Sequence, residues 1–172
     1  LAEEGAQLTV SDIDQEKVDV VVKEFGAKAV GPEEIYAVDA DIFAPCALGA
    51  IINDDTLKVF NIDIIVGGAN NQLLEPRHAK AVEDKGILYG PDYLVNAGGL
   101  INVYAEIQGW PAERSLRKAG EIYNTLLRIL ELAESEGMTS AEAADRVAED
   151  RMSEVGYLHR TELGCLDYPS CG

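Results

Sequence analysis

Cysteine, histidine and positive charge are all scarce in this chain. Three cysteines in 172 residues, Cys46, Cys165 and Cys171, are too few and too scattered for the disulfide framework of a small secreted domain. The two histidines, His78 and His159, stand at no metal-like spacing from those cysteines, which argues against a zinc site. Lys and Arg number 14 against 31 Asp and Glu, and the resulting formal charge of −17 excludes electrostatic capture of nucleic acid or of an anionic membrane surface. The acidic helix faces read as solvated surface. No apolar stretch approaches the length of a membrane span, and the opening LAEEGA has neither the basic nor the apolar region of a signal peptide. A reducing cytoplasm is the expected compartment. Internal repeats, low-complexity segments and a nucleophile motif built on Ser, His and Asp are also missing.

What is present is enough apolar residue, 47%, to bury the core of one ordinary domain. Gln7 to Ser11 reads as a short strand. A helix follows, with Val18, Val21, Val22 and Phe25 on one face and Gly26 as its stop. Lys28 to Val30 reads as a second strand and Pro32 to Tyr36 as a brief helix. DIFAPC (41–46) and IDIIVGGA (62–69) are apolar on consecutive residues, which predicts strands buried on both faces, and ILYG (87–90) is the last strand. Strands separated by helical spacers predict a parallel sheet with right-handed crossovers. From Glu113 the stripe Leu116, Ala119, Ile122, Leu126, Leu130 and Ala133 predicts one long amphipathic helix. Thr139 and Glu142 form a capping box, and Ala141, Ala144, Val147, Ala148 and Met152 supply the buried side of another helix. Residues 157–172 lack a period and are expected to be an irregular tail after a domain spanning 1–156.

The stretch LTVSDID, residues 8–14, ends an apolar run in an acid. In a dinucleotide fold a strand runs into a glycine-rich turn, a helix carries the pyrophosphate, and an acid roughly 20 positions on binds the adenosine ribose. Asp12 fits that acid. The glycine-rich turn itself is not in the sequence, and LAEEGA reads as the last turn of the phosphate helix, with Gly5 as its C-terminal glycine. The expected fold is therefore α/β: a Rossmann-like doubly wound parallel sheet lacking its first, central strand, with C-terminal helices. A carboxylate at a strand end also caps a following helix, although Asp14 is better placed to do so.

The segments DIFAPCALGAIIN, GGANNQLLEPRHA and GILYGPDYLVNAGGLINV follow in order with short spacers. Together they closely resemble the C-terminal, coenzyme-binding domain of the Glu/Leu/Phe/Val amino acid dehydrogenases, most nearly the leucine dehydrogenase branch. The resemblance runs from Leu1 to the neighbourhood of Ser153, and the tail beyond Gly156 departs from it. It implies NAD-dependent oxidative deamination of an L-amino acid, with hydride passing from the α-carbon to NAD and the imine hydrolysed to a 2-oxo acid and ammonia. It also implies that the catalytic lysine, its aspartate partner and the lysine binding the substrate carboxylate belong to an N-terminal domain absent from this chain. No catalytic residue is expected here, and the whole protein is expected to be a homo-oligomer.

On that resemblance Ser11, Asp12 and Ile13 flank the adenosine, and the Asp12 carboxylate favours NAD over NADP by repelling a 2′-phosphate. Pro45, Cys46 and Ala47 line the crevice beyond a strand end, Cys46 as a small buried hydrophobe rather than a reactive thiolate. Ala69, Asn70 and Asn71 serve the nicotinamide ribose and carboxamide. The alternative for an asparagine here is a turn in left-handed backbone. Asn70 stands where leucine dehydrogenases often carry an aspartate, so Asn71 is the better candidate. Asn96 is placed to reach the nicotinamide or the reacting amino group, beside Gly98 and Gly99 where a helix begins. Leu100 and Val103 are set against the substrate side chain, which suits a branched aliphatic amino acid such as leucine or valine, with core packing as the alternative for Val103. This chain by itself is expected to bind NAD weakly or not at all and to catalyse no deamination. A non-catalytic Rossmann-like binding or interaction module is the competing reading.

Overall fold

The computed structural model describes residues 1–162, with side chains through residue 156. The chain divides into two compact units, residues 1–99 and 100–172.

The first unit begins with a 3-10 turn, Ala2–Glu4, closed by Gly5 at φ 87°. Strand β1 (Thr9–Val10) leads into helix α1 (Gln15–Phe25). The Asp14 side chain accepts the Glu16 and Lys17 backbone N–H groups, two of the donors that a helix start leaves without partners. Gly26 ends the helix at φ 66°, a left-handed conformation that glycine adopts without steric penalty. Strand β2 (Lys28–Ala29) then pairs in parallel with β1. The predicted brief helix is a 3-10 turn at Glu34–Ala37.

Strands β3 (Asp39–Phe43), β4 (Asn61–Ile65) and β5 (Leu88–Tyr89) form a second parallel sheet in the order β3-β4-β5. Short helices α2 (Thr56–Val59), α3 (Arg77–Asp84) and α4 (Asp92–Val95) occupy the connections. The order β2-β1 in one sheet and β3-β4-β5 in the other is that of the 3-2-1-4-5-6 sheet with its central member left out. Among the described residues no strand joins β1 to β3, so the doubly wound sheet is present as two pieces. The core of this unit is Ile52, Leu57, Phe60, Ile65, Val82, Ile87 and Tyr89. The rings of Tyr36 and Phe43 pack against it, with the centroids of Tyr36, Phe43 and Phe60 5.2 to 6.2 Å apart. At the surface, both terminal nitrogens of Arg77 engage the two Asp54 carboxylate oxygens, and this guanidinium lowers the Asp54 pKa to about 2.

Two strand predictions need correction. DIFAPC ends as a strand at Phe43, and β3 is largely exposed, with Ile42 49% accessible. In β4, Asn61 and Asp63 are exposed while Ile65 is buried, so burial alternates along its start. A sheet of three strands has too little covering layer to bury both faces of these segments.

In the second unit, helix α5 (Gly98–Ile107) enters from the boundary, and Trp110 turns the chain by packing edge-on against Tyr104 at 5.3 Å with Arg114 over its ring. Helices α6 (Ala112–Glu136) and α7 (Ser140–Glu162) pack on each other, burying Ile129, Ala143 and Ala144. Gly137 at φ 66° and the Thr139–Glu142 capping box form the joint: Thr139 N–H donates to Glu142 at 2.8 Å and Glu142 N–H to Thr139 Oγ1 at 3.2 Å. Two ends of the predicted apolar faces stay outside the packing, Leu116 at 72% and Met152 at 67% accessible. Helix α7 continues through 157–162, where an irregular tail was expected. Cys165 and Cys171 lie outside the described residues.

Candidate functional site

Parallel strands of one sheet end on the same side, so the loops after β3, β4 and β5 leave from a common edge. Pro45, which is buried, makes the first link, its carbonyl accepting the Ala69 N–H at 2.9 Å. Glycine is required at position 67 for this approach, because a Cβ there would stand 2.3 Å from the Pro45 oxygen. Further along, the Asn71 carbonyl accepts the Ala50 N–H at 2.7 Å and the Gln72 carbonyl accepts the Ile52 N–H at 2.9 Å. Asn71 and Ala50 both hold positive φ, 51° and 60°. Asparagine tolerates this backbone, whereas alanine does so at a penalty of about 1–2 kcal/mol, which the surrounding hydrogen bonds must offset.

The β5 loop joins the same cluster through side chains. Asn96 Nδ2 donates to Asn70 Oδ1 at 2.6 Å and, more weakly, to the Ala69 carbonyl at 3.5 Å. Buried Asp92 accepts the Gln72 backbone N–H on Oδ2 at 2.7 Å and the Tyr93 N–H on Oδ1 at 2.6 Å. Gln72, fully buried, donates its side-chain NH2 to the carbonyls of Gly67 at 2.8 Å and Ala69 at 3.0 Å. The Tyr89 hydroxyl, next to this network, is held neutral well above its usual range by burial and then by the Asp92 charge. Pro45, Ala69, Asn70, Asn71 and Asn96 are thus brought together. Gln72 and Asp92 were not foreseen. The only signal for Asp92 was an acid after proline at a helix start, and Gln72 carried no signal beyond following two asparagines.

The other half of the expected site belongs to the two-stranded sheet. Asp12 is exposed at the C-terminal end of β1, and its carboxylate accepts the Asp14 N–H at 2.9 Å. Ser11 Oγ beside it is buried and has no hydrogen-bond partner among the described residues. Ile13 is 95% accessible.

Two expectations change. Cys46 is exposed rather than a buried hydrophobe, because the chain leaves the sheet after Phe43 and only Pro45 is drawn into the loop contacts. Leu100 and Val103 lie in the second unit, 74% and 53% accessible, so core packing does not explain Val103. A hollow of about 340 Å³ lies at the opposite, N-terminal ends of β3 and β4. Asp39, Asp41 and Asp63 line it, a poor match for a phosphate-bearing molecule.

The sequence profile of the Glutamate/Leucine/Phenylalanine/Valine dehydrogenases matches residues 3–155. The leucine dehydrogenase of Thermoactinomyces intermedius is 52% identical over 163 residues, which covers 95% of this chain and 44% of that protein. An L-tryptophan dehydrogenase of Nostoc punctiforme is 51% identical over 154 residues, covering 89% of this chain and 44% of that protein. A crystal structure of L-tryptophan dehydrogenase from Nostoc punctiforme superimposes with a TM-score of 0.87 at 50% identity, over 90% of this chain and 46% of the other. The chain spans less than half the length of these relatives.

Proposed function

Because the chain belongs to the Glutamate/Leucine/Phenylalanine/Valine dehydrogenase family, we propose that it is the C-terminal, coenzyme-binding part of an NAD-dependent amino acid dehydrogenase. The observation that carries this reading is the convergence of the three loops, which sets Asn70, Asn71 and Asn96 at one sheet edge. Ligands of parallel α/β sheets sit beyond that edge.

The residues fit the two ends of the coenzyme. At the adenosine end, the exposed Asp12 carboxylate, with one oxygen taken by the Asp14 N–H, has acceptor capacity left for ribose hydroxyls, while the Ser11 Oγ beside it is buried. At the nicotinamide end, the pairing of Asn96 Nδ2 with Asn70 Oδ1 leaves an Asn96 oxygen to accept and an Asn70 nitrogen to donate. A primary carboxamide matches that arrangement. Pro45, Cys46 and Ala47, which follow the end of β3, would line the cleft between these ends, and Gly98 and Gly99 leave open space where α5 begins. Among the described residues no strand runs through a G-x-G-x-x-G turn into a helix to carry the pyrophosphate, which supports weak affinity in this chain. When bound, NAD supplies the hydride acceptor, and this chain's own residues hold and orient it.

The substrate follows at one further step. Leu100 and Val103, exposed and aliphatic, support a branched-chain L-amino acid such as leucine or valine, converted in the whole protein to its 2-oxo acid. Identity alone does not decide this, since a leucine and a tryptophan dehydrogenase match almost equally well. One methylene in an apolar pocket changes selectivity by only about 1–3 kcal/mol.

Amide-resolved NMR titration of the chain with NAD and NADP tests the reading. Shifts are expected at Asp12, Ala69 to Asn71 and Asn96, with NAD affinity weaker than about micromolar yet roughly tenfold above NADP. Asp12→Asn should erase the preference. Equal response to both nucleotides, or shifts gathered at the Asp39–Asp63 hollow, would sink the proposal.

A further inference from the structure

We propose that Asp92 is the positioning residue of the nicotinamide end: it locks the loop bearing Asn70 to the loop bearing Asn96, so that the two amides face a carboxamide at fixed spacing. The ligand part of this inference rests on the coenzyme reading above, whereas the locking does not.

The carboxylate sits at the junction of two loops twenty residues apart in sequence. Each of its oxygens accepts one backbone N–H, Gln72 at 2.7 Å from the first loop and Tyr93 at 2.6 Å from its own turn. Both partners are donors, so the group must offer two acceptors. An asparagine of the same shape offers only one, and its NH2 would meet a second N–H. The residue is buried, and the Gln72 N–H has no solvent to turn to if the carboxylate is lost. Gln72 in turn holds the carbonyls of Gly67 and Ala69 through its side chain. The backbone on either side of Asn70 is therefore held, at Ala69 by the Gln72 side chain and at Gln72 by Asp92, and the Asn70 carboxamide is held by Asn96 Nδ2 at 2.6 Å. Asp92, being buried, acts on the amides through Gln72 and the loop backbone. Its effect is to keep their donor and acceptor apart by a constant distance, which a flexible loop does not do.

Three variants of the whole chain separate this from a general loss of fold. Asp92→Ser retains an acceptor for the Tyr93 N–H at the start of α4 and abandons Gln72. Asp92→Asn retains the shape, and Asn96→Ala removes one amide without touching Asp92. In the parent chain the Gln72 N–H should exchange with solvent as slowly as the amides of β4, and the Asn96 side-chain NH2 should give one sharp, protected pair of signals. Asp92→Ser should keep β4 protection, free the Gln72 amide, and collapse the Asn96 pair toward a solvent-exposed position. With nicotinamide mononucleotide as the probe, Asp92→Ser and Asp92→Asn should bind roughly tenfold more weakly or less, as Asn96→Ala does. Gln72 exchange and Asn96 signals unchanged in Asp92→Ser would overturn the locking. Locking lost with mononucleotide affinity retained would overturn the positioning role. If the parent chain shows no response to the mononucleotide at millimolar concentration, the positioning role is overturned while the exchange data still decide whether Asp92 locks the loops. If both Asp92 variants fail to fold, a fast-exchanging Gln72 amide in the parent chain overturns the inference and a protected one sustains it.

Discussion

Asn71 combines two properties that the sequence presents as alternatives. It adopts the left-handed backbone that makes asparagine a turn residue, at φ 51°, and it stands at the sheet edge where the proposed coenzyme reading calls for an amide. Substitution separates them. Asn71→Gly should leave urea stability nearly unchanged, because glycine accepts positive φ, while Asn71→Ala should lose about 1 kcal/mol. If the side chain also serves the coenzyme, both variants should weaken nicotinamide mononucleotide binding; glycine binding as well as asparagine would leave Asn71 a turn residue alone. Asn70, Asn71 and Asn96 were legible in the sequence because each follows a strand or precedes a helix in a recognisable segment. Gln72 and Asp92 were not, since their importance arises from a hydrogen bond between residues that nothing local relates.

At the scale of the element, capped helix ends were read well and strand environments poorly. Caps are local: Asp14 and Gly26 bound α1, and Thr139 with Glu142 starts α7, each through contacts within four residues. Thr139→Ala removes the acceptor for the Glu142 N–H and should lower the urea midpoint by an amount equal to about 1 kcal/mol. Thr139→Ser should restore most of it. Strand burial depends instead on what covers the sheet. Consecutive apolar residues in DIFAPC and IDIIVGGA suggested two covered faces, yet Ile42 is half exposed. The length of α7 escaped notice for a related reason: its apolar spacing fades after Met152, and the backbone continues as a helix to Glu162 without it.

For the whole molecule, the doubly wound sheet stands as a two-stranded and a three-stranded piece. A pair of two-residue strands has little to hold it, whereas β4 is bonded on both sides and carries Ile65, which is fully buried. Hydrogen exchange should therefore be about a hundredfold or more slower at β4 than at Thr9–Val10 and Lys28–Ala29. Equal protection in the two sheets would mean that they unfold as one unit. The sequence by itself determined the parallel α/β class, the family and most residues at the strand ends, because turn chemistry, apolar period and motif order are written in neighbouring positions. Tertiary structure alone decided that Cys46 faces solvent, that β3 is half uncovered, and that one buried carboxylate ties two asparagine-bearing loops together. Burial and long-range hydrogen bonds belong to the folded chain as a whole, and no window of sequence contains them.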